Sequence, residues 1–173
     1  MSTDESVSDS EPEFYASHTF SGPLTQGDIL EDVLCVDGIT GPHGVVRRVM
    51  VLSQSCEIDK RKTTSVYVGI CVQIDSTGSN LIKEIRERKV HSAFYTPTLS
   101  GVVAEGFVDL RSVFRVPLVS MTGPFEVREG GNRWLLQSQT RVSCLTLHST
   151  MLLQRSLARF FGYERAEPPR PIG

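Results

Sequence analysis

The stretch VVRRVMVLSQSCEIDKRK, residues 45–62, decides how the chain is read. Val49, Met50, Val51 and Leu52 form an unbroken apolar run, which predicts a buried strand, with the arginine pair Arg47 and Arg48 in front of it. The run stops at Ser53. A polar segment follows at once, Ser53-Gln54-Ser55-Cys56-Glu57-Ile58-Asp59, and then a basic burst, Lys60-Arg61-Lys62. Hydroxyl, amide and acid side chains of this kind cap backbone groups in turns, which would make Cys56 a thiol buried under a turn. The same side chains also suit the rim of a site. A strand of six or so residues separates the arginines from the polar segment by about 20 Å, so the two ends line one small site only if loops fold back.

Working outward, the pattern is mostly β. Gly27–Val36 predicts a first strand leading to the turn residues Asp37-Gly38 and the loop Gly41-Pro42-His43-Gly44; Val45–Ser53 is the second strand and Ser65–Ile74 the third. Leu81–Val90 carries Leu81, Ile82, Ile85 and Val90 among alternating charges, the spacing of a short helix with a solvated, salt-bridged face. Phe94-Tyr95, Gly106–Leu110 and Phe114–Ser120 are further short strands, and Pro117 places the last of them at an edge or bend. Trp134-Leu135-Leu136 adds one more, with Trp134 assigned to the core. The clearest helix is the last: Ser149 is its expected N-cap, Leu153, Leu157, Phe160 and Phe161 share a face, and Gly162 sits where a left-handed C-cap belongs. A small twisted barrel packed by one amphipathic C-terminal helix accommodates these pieces.

Length and charge set the frame. At 173 residues the chain suits one domain with tails. The first thirteen residues hold five acids and no base, so residues 1–20 are expected to be a disordered acidic tail, 21–163 the single domain, and 164–173 a proline-rich tail. Without those five acids, 15 acidic residues face 18 basic ones, a weakly basic balance that permits a nucleic-acid partner. No basic-then-apolar leader and no run of 18 to 20 apolar residues is present, so a soluble, cytoplasmic protein with no membrane contact is expected. Cys35, Cys56, Cys71 and Cys144 are widely spaced and no histidine stands at zinc-site spacing, so no metal and no cofactor is expected.

The order of pieces resembles the MazF/PemK family of SH3-like barrel toxins, metal-independent mRNA endoribonucleases of bacterial toxin–antitoxin systems. Gly27-Asp28-Ile29 resembles the family's opening, Gly41–Gly44 its glycine-rich loop, and Arg47–Ser53 its arginine, apolar strand and polar end. Val66–Gln73 is similar to its next strand, Gly106–Leu118 to the one after, and Arg141–Gly162 to its terminal strand and helix, so that the likeness spans roughly residues 24–162. It implies a mainly β fold with α, an SH3-like barrel, a homodimer, RNA as substrate and an antitoxin-like protein as partner. Two positions depart from the family: Arg48 is followed by Val49 rather than proline, and Cys71 stands where a hydroxyl is usual.

On that resemblance Arg48, or Arg47 in the alternative register, holds the charge that builds on the phosphoryl oxygens as a 2′-OH attacks phosphorus, and Cys71 would donate to the same phosphate, although a thiol is a weak donor. Ser53 belongs to the same candidate set. Cys56 offers a different chemistry, a thiolate nucleophile or redox sensor favoured by Arg48, Lys60, Arg61 and Lys62. His43, Gln54, Glu57, Arg111 and Arg115 are candidate binding residues, each with a plain surface role as its counterpart. Three functions therefore stand: a growth-inhibiting endoribonuclease, a non-catalytic protein- or nucleic-acid-binding module on the same barrel, and a thiol enzyme or sensor.

Overall fold

The structure, a computed structural model, describes residues 13–16, 23–36, 44–58, 63–75, 80–118, 126–128, 131–133 and 141–162. Six antiparallel strands form one sheet: β1 (Asp28–Cys35), β2 (Val45–Val51), β3 (Ser65–Gln73), β4 (Ala93–Thr96), β5 (Gly106–Pro117) and β8 (Arg141–Cys144), in the order β4-β5-β3-β2-β1-β8. A separate pair, β6 (Glu126–Arg128) and β7 (Gly131–Arg133), makes a small hairpin. Helices α1 (Ser55–Ile58), α2 (Asn80–Arg86) and α3 (Leu147–Phe160) complete the fold, which is mainly β. No helix among the described residues is long and apolar enough to cross a membrane.

The apolar run of β2 is unbroken because both faces of the sheet are covered there. Val49 and Val51 turn to one side and pack with Leu30, Val66, Val68, Val116 and Leu118. Met50 and Leu52 turn to the other and pack with Ile29, Phe94, Val108, Leu110 and Leu153 of α3. Each such side chain contributes about 1.5–3 kcal/mol of burial. The first cluster is closed by curvature. On a flat sheet β1 and β5 would lie about 14 Å apart, three strand spacings, yet they touch. The sheet therefore curls, with β4 and β8 at the two ends of the described order.

Several expectations need correction. Gly106–Leu110 and Phe114–Ser120 are not two strands: β5 runs unbroken for 12 residues, because Leu110, Arg111 and Ser112 bulge out between the pairs Asp109–Ile70 and Val113–Gly69 and the ladder then resumes. Pro117 ends that strand, beyond the span that β4 covers, where its missing N–H costs no ladder bond on that side. Helix α3 begins earlier than expected, with Thr146 as N-cap, its Oγ1 accepting Ser149 N–H at 3.3 Å, while Ser149 itself is buried inside the helix. Phe161 is the C-cap residue and half exposed rather than on the buried face; Gly162 follows at φ +72°, as a left-handed cap requires. Helix α2 stops at Arg86, and Arg88, at φ +56°, turns its guanidinium over the Phe14 and Phe94 rings.

The N-terminal boundary also shifts. Glu13–Ala16, assigned to a disordered tail, runs along β8: Tyr15 bridges to Leu145, Ala16 N–H donates to Cys144 O at 2.9 Å, and the Tyr15 hydroxyl donates to Pro97 O at 2.7 Å. Two aromatic residues supply enough apolar area to offset the ordering of four residues. Trp134-Leu135-Leu136, His43, Asp59 and Lys60–Lys62 lie outside the described residues.

Candidate functional site

The polar segment after β2 is a capping device and a rim at once. The Ser53 Oγ accepts Tyr67 N–H at 2.8 Å, while Leu52 N–H and Ser53 N–H both reach Tyr67 O, so the β2–β3 pairing continues past the end of β2 through a side chain. Ser55 Oγ accepts Gln26 N–H at 3.1 Å. Gln54 O then accepts Glu57 N–H and Ile58 N–H, which closes the single turn of α1, and Ile58, fully buried in the first core cluster, anchors it. Ile58, not Cys56, is the group under the turn. Cys56 is exposed, and its thiol meets Gln54 Oε1 at 3.7 Å, so the expectation of a buried thiol is corrected.

Two adjoining hollows share Ser53, Gln54 and Tyr67. The larger, of about 610 Å³, is walled by Leu52, Val113, Leu157, Ala158 and Phe161, with Gln26 and Gln154 as polar groups beside the shared Ser53, Gln54 and Tyr67. The smaller, about 400 Å³, is polar: Glu57, Thr63, Thr64, Ser65 and Arg115 line it. Tyr67, 56 % exposed, forms the ridge between them. Together they make one trough, apolar where α3 leaves the sheet and polar beside α1. Arg115 Nε donates to Ser65 Oγ at 2.6 Å, and among the described residues no carboxylate pairs with its guanidinium.

The arginine end of β2 belongs to a different hollow. Arg48, Cys71, Gln73 and Thr96 line a cleft of about 180 Å³ with Ile29, Val103 and Gly106. The resemblance's two phosphate-contacting candidates are thus brought together. Arg48 is engaged, however: opposite it β1 bulges, two residues, Glu31 and Asp32, facing one, and Arg48 Nε donates to Glu31 Oε1 at 2.8 Å with Nη2 on the same oxygen. Asp32 takes up the bulge at φ +55°. Burial pushes the Cys71 thiol up to about 12, against the smaller opposing pull of Arg48, so it stays protonated at neutral pH.

The remaining candidates scatter. Arg47 is exposed, and its Nη1 donates to Val46 O at 3.3 Å. Arg111, in the β5 bulge, is held by Asp109, whose carboxyl sits below its ordinary value although burial opposes the Arg111 contacts. It does not line the trough with Arg115. The charged face of α2 is salt-bridged as expected at Lys83–Glu87, while Arg86 turns away to a two-pronged pair with Glu105, which also accepts from the Tyr95 hydroxyl at 2.8 Å.

Sequence reasoning missed Tyr67, Gln26, Gln154 and the Thr63–Ser65 wall. For Tyr67 the signal was present: Val66 and Val68 face the core, so period-2 alternation puts an aromatic ring between them in solvent. Gln26 and Gln154 are 128 residues apart and carried no local signal. Also unforeseen is the buried pair of Asp28 and Arg141, at 2.7 Å, which ties the start of β1 to β8. No protein-family model matches the chain, and no curated protein matches it.

Proposed function

We propose that this chain is a MazF/PemK-like RNA-binding module on an SH3-like barrel architecture, holding single-stranded RNA in the Tyr67 trough without cutting it. The observation that carries this reading is the ridge itself: an exposed tyrosine ring with Arg115, which has no carboxylate partner among the described residues, on one side and an apolar hollow on the other. Single strands are held by this combination, bases on aromatic faces and phosphates on a cation, and each stacked base is worth about 1–3 kcal/mol. The loss of cutting follows from the other cleft. Glu31 already takes the Nε and Nη2 donors of Arg48, so a phosphate would have to compete for them, and a protonated Cys71 stands where a strong hydroxyl donor is usual.

A second reading, metal-independent cleavage, draws on the fact that Arg48 and Cys71 line one cleft. One experiment separates the two. Fluorescence anisotropy with a mixed-sequence single-stranded RNA, in chelator, is expected to show binding that Tyr67→Ala weakens about 5- to 150-fold, with the RNA intact on a gel. Discrete fragments that vanish in Arg48→Ala would instead establish the nuclease. On the same architecture a homodimer and an antitoxin-like partner are expected; the exposed Leu34, Val36, Val45 and Val46, clustered at one end of the β1–β2 hairpin, are an apolar surface suited to such contact.

A further inference from the structure

Gln26 and Gln154 form a relay whose direction a backbone carbonyl decides. Leu52 O can only accept, so the group meeting it at 2.7 Å is the Gln26 amide nitrogen. Gln26 Oε1 therefore points the other way and accepts from Gln154 Nε2 at 2.9 Å. An amide has one oxygen and one nitrogen. With its nitrogen given to Gln26, Gln154 keeps its carbonyl oxygen for the hollow it lines, and that oxygen has no partner among the described residues. The relay does not reverse: Gln26 is 4 % exposed, its backbone N–H is held by Ser55 Oγ, and a flipped amide would set oxygen against Leu52 O.

We infer that Gln154 Oε1 is the specificity-determining group of the trough and selects, for the apolar hollow, a nucleobase that carries an exocyclic amino group. The inference rests on the RNA-binding reading above. Leu52, Val113, Leu157 and Phe161 offer a base apolar surface without direction, so they cannot tell one base from another. At about 610 Å³ the hollow has the volume of a pocket for a drug-sized ligand, so size does not choose either. A fixed acceptor does choose. It rewards an N–H donor and offers nothing to a base edge that lacks one.

The test compares two oligouridylates, each with one central test base, adenine or its 6-deamino analogue purine, which differ by the amino group alone. Anisotropy titrations of the full chain are expected to show the adenine oligomer binding about 2- to 12-fold more tightly, the effect of one neutral hydrogen bond. Gln154→Met, similar in length and as good a helix former, is expected to erase that preference and keep the affinity for the purine oligomer. Equal binding by the wild type, or a preference that survives Gln154→Met, overturns the inference. If Tyr67→Ala weakens both oligomers equally while wild type shows no preference, the selection fails and the RNA-binding reading stands. No binding by either oligomer overturns both.

Discussion

The hydroxyl of Ser53 accepts the backbone N–H of Tyr67 at 2.8 Å, so the residue that ends the buried strand also sets the ridge of the trough. Removing that acceptor leaves the N–H of an otherwise fixed residue without its partner. Ser53→Ala is expected to lower stability by about 0.5–2 kcal/mol in urea unfolding. RNA binding should fall less than in Tyr67→Ala, because the ring survives. Equal losses in the two variants would mean that Ser53 itself touches the RNA.

Asp28 and Arg141 are both nearly inaccessible, and Thr25 N–H and its hydroxyl complete the Asp28 carboxylate. Burial raises the Asp28 carboxyl above its ordinary value, with Arg141 opposing that shift. Asp28→Ala would remove the buried carboxylate that Arg141 meets at 2.7 Å and is expected to cost about 3–5 kcal/mol. A midpoint change in urea corresponding to less than about 1 kcal/mol would refute that account of the pair.

Alkali should destabilise the fold in a defined window. The unfolded Cys71 thiol titrates near 9.0 and the folded one at about 12, and the buried Tyr15 hydroxyl is likewise pushed above its ordinary value. The folded state thus keeps protons that the unfolded chain releases. The Cys71 contribution is fully present below pH 9 and is lost as pH rises towards 12. Thermal midpoints taken from pH 8 to 11 should fall, and Cys71→Ala should make the fall shallower.

Thiol chemistry offers a direct check on the segment after β2. Cys56 is exposed, Cys35 is buried, and burial raises the thiols of Cys35, Cys71 and Cys144. With a maleimide at pH 7 a single fast phase is expected, and Cys56→Ser should abolish it. A fast phase that persists in that variant would place the reactive thiol elsewhere.

Gly106 faces the backbone of β3 so closely that an added Cβ would lie 2.4 Å from Val72 O. A carbonyl in a ladder cannot move aside as a side-chain tip can. Gly106→Ala is expected to cost about 1–3 kcal/mol or more and to disturb the Cys71 cleft that Gly106 lines. Stability within 0.5 kcal/mol of wild type, by denaturant titration, would contradict this close approach.

By itself the sequence determined the strands that alternate or run apolar, β1, β2 and β3, the amphipathic α3 and its glycine cap, because side-chain periodicity and backbone preference act over a few residues. It also offered the Ser53–Asp59 side chains as caps of backbone groups or as the rim of a site; Ser53 and Ser55 do cap backbone N–H groups, but those of Tyr67 and Gln26, far away in the chain. Tertiary structure alone decided the rest. The β5 bulge, the Arg48–Glu31 pair, the Asp28–Arg141 pair and the Gln26–Gln154 relay each join residues far apart in the chain. Which polar group meets which depends on how the sheet curls and where α3 lands, and no local pattern of residues encodes that meeting. The same physics gave Arg48 a partner in Glu31: a charge is available to a ligand only where the fold has not already given it one.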